Sequence, residues 1–147
     1  MIYLKVFLIN PGFNQYLQPP LSLGYIAAYI RKYGAVEPKI IDENSGDKLI
    51  DFANETPDLI GITSTSPLFL DAIKAAKKCR ELWPGVKIIL GGVHATALPE
   101  KTLVNYPVFD IIVIGEGEQT MLELCNNFSA GFTEPVLSKI KGIAFKS

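Results

Sequence analysis

The chain has 147 residues, a length suited to one domain with one sizeable core, and 48% of them are hydrophobic, an ordinary share for a globular protein. Lys and Arg number 14 against 15 Asp and Glu, so no basic face is available to track a nucleic-acid backbone by charge. The apolar run Met1 to Ile9 is interrupted by Lys5, is too short to span a bilayer and is followed by no small-residue cleavage site; the expectation is a cytoplasmic protein with no signal peptide and no membrane span.

In chain order, YLKVFLIN (Tyr3 to Asn10) comes first, a nearly continuous run of branched apolar residues such as a strand covered on both faces requires. A long connection follows, NPGFNQYLQPPLSLG, where roughly 2–6 residues are usual. Pro19-Pro20 precedes a helix on which Leu23, Ile26, Ala27 and Ile30 keep helical spacing, and Gly34 closes it. The strand PKIID and the strand DLIGIT come next, then a helix carrying Phe69, Ala72, Ile73 and Ala76 that Trp83-Pro84-Gly85 ends. VKIILG and FDIIVIG are further strands. Met121, Leu124, Cys125 and Phe128 mark another helix, with Thr120 and Glu123 spaced as a capping box, and KGIAF is a last strand.

Strands alternating with helices predict right-handed crossovers and a parallel sheet with helices on both sides. The expected fold is α/β, a flavodoxin-like (Rossmann-like) three-layer doubly wound sheet of order 2-1-3-4-5, with the tail strand added at an edge. Cys79 and Cys125 fall on apolar helix faces, where a free thiol behaves as a small hydrophobe, and neither belongs to a metal-type cluster.

In such a sheet a ligand binds outside the carboxyl ends of the strands, at the crevice where successive connections part. Four connections therefore supply the candidate wall: the long first loop, TSTSP after the third strand, GGVHATALPE after the fourth and GEGEQT after the fifth. Gly91, Gly92, Gly115 and Gly117 let backbone approach a bulky ligand, or simply turn the chain. Glu116 and Glu118 suit a helix start through the macrodipole, or touch the ligand. Phe13 and Tyr16 cover a ligand face or pack on a neighbouring domain. No phosphate-binding glycine motif is present. A flavin or other nucleotide module and a non-enzymatic interaction domain remain as alternatives to the reading that follows.

The ordered set NPG, PPLSLGYIAAYIRKYG, IID, DLIGITSTS, LGGVHATALPE and DIIVIGEGEQT resembles the cobalamin-binding domain at the amino end of cobalamin-dependent radical SAM enzymes, the methylases and the anaerobic magnesium-protoporphyrin monomethyl ester cyclases. That resemblance implies that residues 1–147 are one cobalamin-binding domain, a segment of a longer protein whose radical SAM domain is the partner. It implies a cofactor site at Asn10, Pro11, Pro20, Leu21, Thr63, Ser64, Thr65, Gly91, Gly92, Val93, His94, Gly115, Glu116 and Gly117. Thr63 to Thr65 and the Gly91-Gly92 pair would flank the nucleotide tail, and Gly115 to Gly117 would form the last wall.

The broader cobalamin-binding family carries D-x-H-x-x-G after its first strand, with the histidine on cobalt, yet no histidine lies between Asn10 and Leu23 here. Asp42 with Asn44 in IDENSG follows the second strand instead. The resemblance thus implies base-off cobalamin without that protein ligand. His94, the only histidine, is open to three roles: a contact to corrin or tail, a brace for its loop, or a cobalt ligand. With two cysteines the chain cannot hold the C-x-x-x-C-x-x-C cluster; S-adenosylmethionine and a 4Fe-4S cluster belong to the partner domain, and no catalytic residue is expected in this one. Valine at position 92 is expected to block the cofactor while leaving folding intact.

Overall fold

A computed structural model describes residues 3–12, 21–64, 69–92 and 97–146. Phe13, Tyr16, Pro20, Thr65, Val93 and His94 lie outside these residues. The strands are β1 (Leu4–Asn10), β2 (Val36–Asp42), β3 (Leu59–Thr63), β4 (Lys87–Gly91), β5 (Ile111–Val113) and β6 (Ile143–Phe145). They form one sheet in the order β2-β1-β3-β4-β5-β6. The first five are parallel, and β6 joins β5 antiparallel, so the expected order and the added edge strand are both present. β2 begins at Val36, ahead of the apolar run at Pro38; the proline is accommodated because β2 is an edge strand.

The helices are α1 (Leu21–Tyr33), α2 (Phe69–Leu82), α3 (Pro99–Asn105), α4 (Glu118–Asn126) and α5 (Glu134–Leu137), with short 3-10 turns at Glu43–Ser45, Leu49–Phe52 and Phe128–Ala130. Strand alternation sorts the core into two layers. Val6, Leu8, Leu59, Ile89, Ile111 and Val113 pack under α1 and α4; Phe7, Ile9, Ile60, Ile62, Ile88, Leu90 and Ile112 pack under α2 and α3. The central strands are apolar over their buried middle stretches because each of their faces meets helices.

α1 buries Leu23, Ala27 and Ile30, carries Arg31 and Lys32 in its last turn where cations favour the dipole, and ends with the Gly34 N–H donating to Ile30 O at 3.0 Å. α4 departs from expectation. It starts at Glu118 after Gly117, without a side-chain cap, so Thr120 lies inside its first turn and makes no capping box. The chain reaches helical geometry directly from the glycine.

Cys79 and Cys125 are buried and unpaired, and burial pushes both thiols up to about 12. Unfolded cysteine titrates near ~8.5. The stability tied to keeping these thiols protonated is therefore full below that value and declines as pH climbs from there toward 12, as the unfolded chain releases protons first. The slope is about 1.4 kcal/mol per pH unit per thiol. Urea midpoints between pH 8 and 10.5 should fall more steeply for the parent protein than for Cys79→Ala/Cys125→Ala; parallel slopes would contradict the burial argument.

Candidate ligand cavity

The five-strand parallel array switches direction beside β1: α1 leads to β2 on one side, and the chain then returns to β3 on the other. Along the carboxyl edge, between α1 and α4, lies a cavity of about 290 Å3. Its sheet wall has two rows. Leu8, Gly61 and Ile89 are register partners and form the lower row. Two residues further along, Thr63 pairs with Gly91, and Val113 stands beyond them in the upper row. Leu23 and Ile26 of α1 and Met121 of α4 close the sides. Ser22, Tyr25, Glu116 and Glu118 bring polar groups to the wall.

The space exists because several positions carry no side chain. A β-carbon built on Gly91 or Gly115 would meet nothing within 4 Å; these two glycines face open volume. Gly115 also has φ +79°, which favours glycine on conformational grounds alone. Gly117 is different: a β-carbon there would come within 3.2 Å of Ile26 Cδ1, so its smallness lets the start of α4 lie against α1. Gly92 is different again. Its φ is +105°, and a β-carbon would fall 2.3 Å from Ser64 O and 2.8 Å from Ser64 N. Ser64 N–H in turn donates to Gly91 O at 3.1 Å. The strand-end turns after β3 and β4 are thus packed backbone to backbone at Gly92, and valine at this position cannot leave the fold intact, contrary to the expectation from sequence.

Of the candidate residues, Thr63, Gly91, Gly92, Gly115, Glu116 and Gly117 come together in this wall. Asn10 and Pro11 are not brought into it: the Asn10 amide donates to Asp42 Oδ1 at 2.9 Å, and Pro11 is buried. Ser64 is buried beneath Gly92. Leu21 is the first residue of α1. Reading strand-end loops missed the lower row, Leu8, Gly61 and Ile89, and the flanking Leu23, Ile26 and Met121. One signal was available, since a glycine inside a strand, as in DLIGIT, marks close approach of another group.

Among the described residues the wall offers backbone, hydroxyls, aliphatic side chains, the Met121 thioether and two carboxylates, with no thiol, imidazole or amine. These groups can hold a bulky ligand through carbon contact and hydrogen bonds. A wider hollow of about 590 Å3 on the α2 side is lined by charged groups, including Glu43, Asp71, Lys48 and Lys74. Burial there raises the Glu43 pKa, with Asp71 adding to the rise and the Gly12 N–H, donating at 3.0 Å, opposing it. Its residues come from Gly12 just after β1, from the segment Glu43 to Ile50 after β2 and from α2, and none of them lines the cavity between α1 and α4.

Residues 14–125 match the family model for the B12 binding domain. The chain is 37% identical, over 87% of its length, to an uncharacterised methyltransferase of Pyrococcus horikoshii, of which it covers 28%. It is 30% identical, over 86% of its length, to the anaerobic magnesium-protoporphyrin IX monomethyl ester cyclase of Rubrivivax gelatinosus, of which it covers 24%. The chain therefore spans about a quarter of these curated relatives. In three dimensions it is similar to the radical S-adenosylmethionine methyltransferase TsrM from Kitasatospora setae, with a TM-score of 0.83 at 19% identity over 97% of this chain and 28% of that one. That likeness establishes the shared fold. No helix among the described residues is long and apolar enough to cross a membrane.

Proposed function

The chain belongs to the B12-binding domain family, and from that premise we propose that it holds cobalamin base-off, with the nucleotide tail in the cavity between α1 and α4, and presents the corrin to a radical SAM domain of the same longer protein. The observation that carries this reading is convergence: Thr63, Gly91, Gly92, Gly115, Glu116 and Gly117, drawn from three separate strand-end turns, share one wall. The cavity also suits a bulky appendage that ends in an apolar base, because Gly91 and Gly115 leave room that a β-carbon would fill and the lower row is aliphatic.

In this reading Thr63 and Ser22 supply hydroxyl contacts at the upper wall, the glycines let main chain lie against the tail, and Leu8, Ile89 and Met121 receive its far end. Asn10, Pro11, Leu21 and Ser64 would support the site, and Pro20, Thr65, Val93 and His94 are assigned to it as contacts to the cofactor. The absence of histidine between Asn10 and Leu23 supports a cobalt free of the D-x-H-x-x-G ligand. The chemistry supplied on binding is that of the cobalt centre, methyl transfer or radical chemistry; the residues of this chain bind, orient and shield. S-adenosylmethionine and a 4Fe-4S cluster are assigned to the partner domain. Two free, buried thiols suit a reducing cytoplasm, where we place the protein.

Equilibrium dialysis tests the reading directly. Hydroxocobalamin should be retained saturably, one per chain, and flavin mononucleotide should pass through. Uptake of flavin without cobalamin would replace this reading with a flavodoxin-like one, and uptake of neither would leave the strand-end loops as a protein-binding surface. After reconstitution with cob(II)alamin the electron-spin spectrum should lack splitting from a lower nitrogen. A nitrogen splitting that vanishes in His94→Ala would instead make His94 the cobalt ligand.

A further inference from the structure

The floor of the cavity has a chemical character that its rim lacks. Leu8, Gly61 and Ile89 lie side by side across three central strands, about 6–7 Å below the Thr63–Gly91 row, at roughly 3.3 Å per residue. Leu8, Ile89 and Met121 are 1%, 2% and 4% exposed, so this end of the cavity is sealed from solvent. β3 and β4 are interior strands of the sheet, and their main-chain donors and acceptors are engaged in the ladder. What the floor shows a ligand is therefore aliphatic carbon and a thioether. Gly61 sets its depth: a β-carbon there would stand 3.0 Å from Leu8 Cδ2 and 3.8 Å from Met121 Cε, in the space between them.

We infer that this floor discriminates among cobamides by their lower base, accepting a benzimidazole and disfavouring a purine, with Gly61 as the residue that gives the base its depth. The inference rests on the reading of the cavity as the tail site. A benzimidazole directs only C–H and methyl groups at its far edge. Adenine directs ring nitrogens and an exocyclic amine, which would leave water and find no partner against Leu8, Ile89 and Met121; burying polar groups unpaired is costly where burying carbon is favourable. The Thr63 hydroxyl belongs to the row two residues further along the strands, about 6–7 Å up the wall from that edge.

The test compares three ligands that share the corrin: the dimethylbenzimidazolyl cobamide, the adenyl cobamide, and cobinamide, which has no base. Dissociation constants for the folded chain, read from absorption changes, should favour the benzimidazolyl form over the adenyl form at least tenfold, with cobinamide also weaker at least tenfold. Gly61→Ala, whose methyl group meets the movable end of Leu8, should cost the benzimidazolyl form at least tenfold while leaving cobinamide unchanged. Met121→Gln, which brings an amide to the floor, should narrow the preference between the two bases. Equal binding of the two based cobamides, both tighter than cobinamide, would overturn the selectivity. Equal binding of all three would show that the base lies outside the floor, again overturning this inference while leaving cobalamin binding in place. Binding of none by folded protein would remove the functional reading and this inference with it.

Discussion

Gly91→Val should keep the thermal midpoint within a few degrees of the parent yet lose at least a hundredfold in cobalamin affinity, whereas Gly92→Val should unfold the protein. The two residues are adjacent and both line the cavity, but their surroundings are opposite. Gly91 has no positive φ, and its β-carbon would meet nothing within 4 Å; a branched side chain there grows into space assigned to ligand. Gly92 combines φ +105° with a β-carbon position 2.3 Å from a main-chain oxygen. Left-handed strain alone costs a non-glycine residue about 1–3 kcal/mol. The clash with Ser64 cannot be relieved by a rotamer, because main chain is what it strikes. Circular-dichroism melts paired with dialysis separate the outcomes. A Gly91→Val protein that binds cobalamin as the parent does would remove the cavity from consideration as the tail site.

Arg80→Ala should lower stability by about 2–3 kcal/mol, the worth of charge-assisted hydrogen bonds lost from a part-buried site, and lower the thermal midpoint by roughly 5–10 °C. The Arg80 guanidinium donates to Val86 O at 2.8 Å, to Val108 O at 2.9 Å and to Asp110 Oδ2 at 2.9 Å. The same Asp110 oxygen accepts from Ile88 N at 2.8 Å. One side chain at the end of α2 thereby fixes the segments that enter β4 and β5. Removing it also leaves Asp110, 19% exposed, without its counter-ion. These contacts lie at the amino edge of the sheet, opposite the cavity mouth. Below the melting transition cobalamin affinity should therefore stay within about threefold of the parent, by roughly additive behaviour of distant sites. A melt unchanged by the substitution would show that water replaces the guanidinium at little cost.

The sheet was legible because its central strands are apolar on both faces: DLIGIT and VKIILG admit few other readings between helices of this length. Sheet order followed from crossover rules, and the edge position of KGIAF from its place after the last helix. The rim of the cavity was legible for a similar reason, since strand-end loops in such folds converge on one edge. Its floor was not. Leu8, Gly61 and Ile89 are 53 and 28 residues apart in sequence, and only register makes them neighbours. The role of Gly92 was misread on the same ground, because the atoms that forbid a β-carbon belong to Ser64, on a different turn. The start of α4 was placed late because Thr120 and Glu123 have capping-box spacing, whereas Gly117 had already turned the chain into the helix. Local pattern identifies elements; steric conflicts between distant turns appear only in three dimensions.

The two outer strands bear on how the molecule behaves at high concentration. β2 carries Pro38 in its middle, with Lys39 ion-paired to Glu55 at 2.9 Å, and β6 is only three residues long, flanked by Lys141 and Lys146. A proline interrupts a continuous row of main-chain donors, and a stub with cationic neighbours gives an approaching strand little to zip against. Neither margin is a good template for recruiting a neighbouring copy, so the protein is equipped against fibrillar growth even though its interior strands are rich in isoleucine, leucine and valine.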